Sequence, residues 1–117
     1  MARNDNSEPV YLRLRRIIAS AILDGDYGEG DQLPSVRALA AEHSANPLTV
    51  AKAYQSLQDD GYVAVKRGIG MFVASGASAR LREDQRAQFL SQTWPRIRAQ
   101  MTQLGIDPEA LLKREFA

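Results

Sequence analysis

Residues 46–57, which read Asn-Pro-Leu-Thr-Val-Ala-Lys-Ala-Tyr-Gln-Ser-Leu, decide the fold. Their apolar positions recur at i, i+3, i+4 and i+7, the spacing of one face of an α-helix, and these positions are Val50, Ala53, Tyr54 and Leu57. Asn46 is a favoured N-cap residue, and Pro47 follows at the position where a first helical turn accepts proline. Gly61 is placed to end the helix in a left-handed conformation. The stretch therefore predicts a short amphipathic helix with a sharply defined start.

Two more helices are predicted upstream. Residues 9–23 carry an apolar stripe of helical period, made of Tyr11, Leu14, Ile18, Ala21 and Ile22. The glycine-rich residues 25–31 then predict a loop. Ser35 is a plausible N-cap for a second helix, whose inner face is Val36, Leu39 and Ala40. Because a short break at Ser44-Ala45 separates this helix from the one at Asn46, the pair predicts a helix-turn-helix.

The period of the sequence changes after Gly61. Residues 62–66 and 71–73 are rich in β-branched and aromatic residues, and the turn-forming residues 67–70 lie between them. A hairpin after a helix-turn-helix is a wing. We therefore expect a mainly α (α+β) fold, a winged helix-turn-helix with three helices and a two-stranded wing, over residues 1–75.

Residues 76–117 predict a two-helix tail. Residues 76–79 (Gly-Ala-Ser-Ala) suggest a flexible joint, and Pro95 should kink the helix that follows. Apolar residues in that helix alternate at spacings of four and three, as in the seam of two packed helices. The dimerisation residues expected from this pattern are Phe89, Leu90, Trp94, Ile97, Met101 and Leu104. Asp107-Pro108 should cap a last short helix, so we expect this segment to dimerise the protein.

Composition narrows the function classes. The 117 residues are 44% apolar and include no cysteine, so thiolate chemistry and cysteine-ligated zinc are excluded. No window approaches the roughly 18 apolar residues of a membrane span, and the polar start resembles no signal peptide; we expect a cytoplasmic protein without membrane contact. No catalytic set or cofactor loop is recognisable, so neither enzyme activity nor a cofactor is expected. Residues 1–75 hold eight basic and nine acidic side chains, so any DNA-binding charge must be gathered by folding.

Five blocks of sequence together resemble the GntR-type winged helix of bacterial transcriptional regulators. They are residues 9–11 (PVY), 30–40 (GDQLPSVRALA), 46–54 (NPLTVAKAY), 61–63 (GYV) and 67–73 (RGIGMFV). The 42-residue tail is too short for the large effector domains of that family and resembles its YtrA-like branch, in which the tail dimerises the protein. Two departures, His43-Ser44-Ala45 before the third helix and Met71 after Gly70, bear on DNA preference and not on the fold.

The resemblance implies a homodimer that binds a palindromic operator in double-stranded DNA. It also implies repression of the protein's own operon and neighbouring genes, often those of ABC-type transporters. An effector, if there is one, would be a small molecule of unknown identity. A winged helix used for protein contact, replication or as an antitoxin shares this fold and stays open as the alternative.

The candidate DNA-binding residues start at the N-terminus of the third helix, where helix-turn-helix proteins contact base edges: Asn46, Pro47, Leu48, Thr49 and Lys52. Asn46 either caps the helix or touches DNA. Leu48 either meets a thymine methyl or packs peripherally. Lys52 alone would be an ordinary solvated lysine.

Further candidates lie on the second helix, the first helix and the wing. Arg37 matches a position at which the family contacts DNA, and Ser35 and Tyr11 are lesser candidates for phosphate contacts. In the wing, the expected contacts are Lys66, Arg67, Gly68 and Gly70, because glycines let a backbone approach DNA closely. The alternative for the wing is a hairpin turn that its cations merely make soluble. The group Arg13, Arg15 and Arg16 is expected to be a solvated helix face, from which only Arg13 or Arg16 could reach a phosphate.

Overall fold

The computed structural model describes residues 8–116, with side chains for residues 8–114. The elements are α1 (Val10–Leu23), α2 (Val36–His43), α3 (Pro47–Asp59), β1 (Val63–Lys66), β2 (Gly70–Val73), α4 (Ala77–Gln88), a π-helical turn (Phe89–Thr93), α5 (Trp94–Leu104) and α6 (Pro108–Phe116). The two strands pair antiparallel, with Val63 opposite Val73 and Lys66 opposite Gly70. The predicted winged helix-turn-helix is confirmed. No helix in the described part of the chain is long and apolar enough to cross a bilayer.

Of the described residues, those up to Arg82 form one compact unit, the head, around a single apolar core. The predicted stripes of α1, α2 and α3 supply most of that core. Its members include Leu14, Ile18, Ile22, Leu39, Val50, Ala53, Tyr54 and Leu57. Burial of these side chains removes apolar surface from water, at about 25 cal/mol for each Å². Tertiary packing of one apolar face, and not helix propensity, holds these short helices.

The start of α2 and the end of α3 follow the predicted capping. The Ser35 hydroxyl accepts from the Ala38 N–H at 3.0 Å and starts α2. Ser44, in a left-handed conformation with φ 51°, ends α2 and turns the chain towards α3. Gly61, with φ 80°, ends α3, and the next residue, Tyr62, donates its N–H back to the Leu57 carbonyl at 3.0 Å. Ser44 therefore sets the short turn between α2 and α3, and Gly61 ends α3 before the wing.

The predicted loop, residues 25–31, leads into a third extended segment, residues 31–33, which runs beside β2. The Gly30 N–H donates to the Val73 carbonyl at 2.9 Å, and the Val73 N–H donates to the Asp31 carbonyl at 2.9 Å. The Leu33 N–H donates to the Met71 carbonyl at 2.8 Å. The chain between α1 and α2 therefore anchors the base of the wing hairpin.

The flexible joint expected at residues 76–79 is instead a turn residue, Gly76, followed by the first residues of α4. Ala77 is fully buried and Leu81 nearly so, and both belong to the apolar core of the head. A run of small residues is compatible both with a flexible joint and with close packing against a core. Here Ala77 is packed closely against the core.

The second compact unit begins at Glu83. In it, the regular helix gives way to the π-helical turn Phe89–Thr93 shortly before Pro95. Pro95 has no N–H to donate to the carbonyl four residues earlier, and its ring crowds that carbonyl, so the backbone widens there. Gly105 ends α5 in a left-handed conformation, and the Asp107 carboxylate accepts from the Glu109 N–H at 3.2 Å to start α6, as predicted.

Candidate nucleic-acid interface

The two sides of α3 differ completely in exposure. Val50, Ala53 and Leu57 are fully buried against the core. Leu48, in the first turn, is 79% exposed, and Lys52 is exposed one turn later. Thr49, between these two sides, is half-buried. The helix therefore presents Leu48 and Lys52 outward from its N-terminal half, together with the edge of Thr49.

Asn46 caps α3. Its side-chain Oδ1 accepts from the Leu48 N–H at 2.8 Å, and its carbonyl accepts from the Thr49 and Val50 N–H groups at 2.9 and 3.1 Å. Pro47 has no N–H to satisfy. Two roles were open for Asn46, helix cap or DNA contact, and in the structure its side chain acts as the helix cap. This bond uses the oxygen of the side-chain amide and leaves its nitrogen uninvolved.

Lys52 is held against α1 by an aromatic ring. Its Nζ lies 4.2 Å from the centroid of the half-buried Tyr11 ring, a cation–π contact. A long lysine side chain loses conformational entropy when it binds a ligand. Because the contact with Tyr11 already restricts Lys52 in the free protein, less of this entropy remains to be lost on binding. Tyr11 and Lys52 therefore form one feature of the surface, although their elements are far apart in the sequence.

The start of α2 is tied to α3 through a buried phenol. The Tyr54 hydroxyl donates to the Pro34 carbonyl at 2.5 Å, and burial raises the pKa of Tyr54 well above its usual range. Ser35 and Arg37 follow Pro34 directly, and both are exposed. The bond thereby fixes the backbone from which Arg37 extends, with respect to α3.

The wing presents its cations at a tight turn. The Ile69 N–H donates to the Lys66 carbonyl at 2.9 Å and closes the turn, and Gly68 takes a φ of 79° that other residues rarely adopt. The Lys66 Nζ lies 4.3 Å from the centroid of the Phe72 ring on the opposite strand. Arg67 stands exposed at the turn. The hairpin thus carries two cations at its tip with little apolar packing around them.

The head is nearly neutral overall, but its ion pairs involve arginines other than the four predicted DNA-binding cations. Arg15 pairs with Asp60 at 2.6 Å, and Arg16 pairs with Glu8 at 2.6 Å, a contact that raises the pKa of Arg16. The Asp31 carboxylate accepts from the Gly28 N–H at 2.7 Å. Among residues 8–114, by contrast, the ion pairs include none of the four cations Arg37, Lys52, Lys66 and Arg67. The four predicted DNA-binding cations therefore have no ion pair within the described part of the chain, as is also true of Arg13.

The expectation that Arg15 lies on a solvated helix face is wrong. Its guanidinium donates to the Ser56 carbonyl at 3.0 Å and to the Ser56 hydroxyl at 2.5 Å, in addition to its ion pair with Asp60. It also lies 5.9 Å from the centroid of the Tyr62 ring. Arg15 joins α1 to the end of α3, a role that helical periodicity in α1 alone does not reveal.

Arg80 is a second structural arginine that sequence reasoning missed. It donates to the Gly61 carbonyl at 2.5 Å and lies 5.5 Å from the centroid of the Tyr62 ring. It therefore satisfies a backbone acceptor just past the end of α3. No motif in the sequence signals this contact, because it joins residues of two separate elements.

The six predicted dimerisation residues differ in exposure within the second unit. Phe89, Leu90 and Leu104 are exposed, Trp94 and Ile97 are half-buried, and Met101 is buried. The exposed fractions of Leu90 and Leu104 are 54% and 65%. The single chain therefore leaves part of the predicted seam without apolar cover.

Comparisons with known proteins agree with this architecture. The family model described as "Bacterial regulatory proteins, gntR family" matches residues 7–73. The HTH-type transcriptional repressor YtrA of Bacillus subtilis (strain 168) is 35% identical over 102 residues, which cover 87% of this chain and 72% of YtrA. The solved structure of a GntR family transcriptional regulator from Listeria monocytogenes matches with a TM-score of 0.75 at 30% identity, and the match covers 94% of this chain and 95% of that one.

Another solved structure that matches this chain contains operator DNA. The AraR DNA-binding domain, solved in complex with operator ORX1, matches with a TM-score of 0.57 at 25% identity, over 63% of this chain and 93% of that one. The family match covers more than half of the chain, and its relatives are transcription regulators and not enzymes. This protein therefore belongs to the GntR family and is a winged helix-turn-helix, DNA-binding transcriptional regulator.

Proposed function

We propose that this protein is a repressor that binds an inverted-repeat operator as a homodimer, with α3 of each head in a major groove and each wing against the adjacent backbone. The observation that carries the proposal is the contrast on α3. A fully buried inner side stands opposite an outward side with Leu48 at 79% exposure and with Lys52, which forms no ion pair with any residue that the structure describes. A helix of this kind fits the major groove of B-DNA.

Each candidate residue takes a distinct role in this proposal. Leu48 contacts a thymine methyl group, and Thr49 offers a hydroxyl to a base edge or phosphate. Arg37, Lys52 and Lys66 neutralise phosphates. Arg67 enters the minor groove or contacts its backbone, where arginine is favoured. Ser35, Asn46 and Tyr11 position these groups through the contacts described above, and Pro47, Gly68 and Gly70 shape the backbone that carries them.

The homodimer is supported by the exposed apolar side chains of the second unit. An exposed apolar patch on a small chain is commonly an interaction surface. A second copy would cover it, since the spacing of residues 90–104 is that of two packed helices. We propose residues 1–75 as the DNA-binding domain and residues 76–117 as the dimerisation segment, whose first residues, up to Arg82, pack on the core of the head. The two-fold symmetry of such a dimer requires a palindromic site with half-site centres about 34–36 Å apart, or a multiple of that distance.

Repression then follows from steric exclusion, because a dimer bound over a promoter blocks RNA polymerase. YtrA is named a transcriptional repressor, and the AraR domain was solved on operator DNA. By the same similarity we propose that the protein acts on genomic DNA in the cytoplasm and regulates its own operon and neighbouring transporter genes. A small-molecule effector of unknown identity would act by changing the relative orientation of the two heads.

The alternative, a winged helix used for protein contact, is disfavoured by the charges on the outward surface. A surface that binds protein more often presents a broad apolar patch. Here, Leu48 is surrounded in sequence by polar Asn46, Thr49 and Lys52, and Arg37 is also exposed. These features favour a polyanionic partner.

The proposal is tested by selection of genomic fragments with the purified full chain, followed by footprinting. We expect a protected site with two-fold symmetry, bound by a particle with the mass of a dimer. Retention of random fragments without any common sequence would contradict it, and so would an asymmetric footprint from a monomer.

A further inference from the structure

Gln32 connects the chain between α1 and α2 to the tip of the wing. Its Nε2 donates to the Ile69 carbonyl at 3.0 Å, across 37 residues of sequence. Its backbone is also fixed, since Gln32 forms an isolated antiparallel bridge with Phe72. The side chain therefore extends from a fixed base along β2 and ends at the turn.

Gly70 leaves the space that this side chain occupies. A Cβ atom built at Gly70 would lie 2.7 Å from the Nε2 of Gln32, closer than real Cβ atoms approach a neighbour. Gly70 also has a φ of 147°, which side-chain-bearing residues rarely adopt. Gly70 therefore gives the amide of Gln32 the room that it needs to lie beside the turn.

The tip needs such a connection because little else holds it. Each strand of the hairpin has four residues, and an isolated hairpin is marginally stable in water. Ile69 is 65% exposed, so apolar packing does not fix the turn. Among residues 8–114, the Gln32 bond is the one hydrogen bond that reaches residues 67–70 from outside the hairpin.

We propose that Gln32 is a positioning residue for DNA recognition, which holds the wing turn so that Arg67 meets DNA in one orientation. The inference rests on the proposed function in one respect, namely that the wing contacts DNA. The clamp itself is a property of the free protein. Gln32 contributes to affinity by reducing the ordering that the wing must undergo on binding.

The clamp is tested first without DNA. In Gln32→Leu, which has a side chain of similar size without an N–H donor, the Ile69 carbonyl loses its bond to residue 32. The Ile69 N–H, whose own bond to the Lys66 carbonyl closes the turn, should then exchange about five times faster, because one typical hydrogen bond fewer opposes the opening of the turn. Gln32→Glu, which keeps the shape and also lacks the donor, should behave alike. Gln85→Leu, at an exposed position of α4, is the matched control and should leave the wing unchanged. Unaltered exchange at Ile69 in both Gln32 variants would overturn the proposal, whatever their DNA binding.

The consequence for DNA is tested by a double-mutant cycle with Arg67→Ala, on the selected operator fragment and with the full chain. We expect Gln32→Leu to weaken binding about fivefold in the wild-type background and less than twofold in the Arg67→Ala background, with an unchanged melting temperature. An equal loss in both backgrounds would overturn the proposal, because Gln32 would then act independently of the wing. If the wild-type protein bound no operator, the proposed function would fail, and this role of Gln32 in recognition would fail with it; the exchange measurement would still report on the clamp.

Discussion

The salt dependence of operator binding measures how many cations of this protein meet phosphates. Each head has four cations that we propose as DNA contacts and that have no ion pair among residues 8–114: Arg37, Lys52, Lys66 and Arg67. In a dimer these make eight, and at about 0.9 released counterions each the slope of log K against log salt concentration is about −7. Affinity should then fall roughly 10⁴-fold between about 50 and 200 mM salt. Arg67→Ala removes two of the eight contacts and should bring the slope to about −5.4.

Fluorescence anisotropy with a labelled operator, titrated at four or five salt concentrations, gives the slope directly. Lys113→Ala is the control, since Lys113 lies in α6, where it pairs with Glu109 at 3.7 Å. Its slope should equal that of the wild type, and both variants should keep the wild-type melting temperature. A wild-type slope shallower than about −2 would refute the assignment of these cations to phosphates. An unchanged slope in Arg67→Ala would refute the assignment of Arg67 to a phosphate contact.

Three further outcomes are expected. Tyr54→Phe removes the hydroxyl bonded to Pro34 and should lower the free energy of unfolding by about 1–3 kcal/mol near pH 7. Because burial raises the pKa of Tyr54, the stability advantage of the wild type over this variant should shrink above pH about 10. A difference in stability that stays constant with pH would contradict the account. Arg15→Ala should lower the free energy of unfolding by about 1 kcal/mol in denaturant titrations, yet leave the salt slope of DNA binding unchanged, and a shallower slope would make Arg15 a phosphate contact. Leu90→Asp combined with Leu104→Asp should give monomers in light scattering with folded heads, and persistent dimers would refute the proposed seam.

The features predicted correctly from the sequence are those that depend on neighbouring residues. The buried face of α3 follows from the spacing of Val50, Ala53 and Leu57, and its start follows from the capping preference of Asn46. Its end follows from Gly61, because few other residues accept a positive φ. Helix order and the wing hairpin required no knowledge of long-range contacts.

The features missed depend on contacts between distant segments. Residues 31–33 give no strand signal in the sequence and become extended because β2 offers them hydrogen-bond partners. Arg15 resembles any solvated arginine of α1 until α3 brings Ser56 and Asp60 beside it. The small residue Ala77 suggested flexibility, whereas the core required close packing. The net charge of the head likewise did not reveal which cations stay unpaired.

The central claim is that the outward side of α3 contacts bases. Its most direct test is selection of binding sequences from random duplex DNA by the wild type and by Leu48→Ala and Thr49→Ala. We predict that each variant loses preference at one or two adjacent positions in both half-sites, and that replacing thymine by uracil there weakens the wild type but not Leu48→Ala. If all three proteins select the same sequence with the same stringency, α3 does not contact the bases, and the account is contradicted.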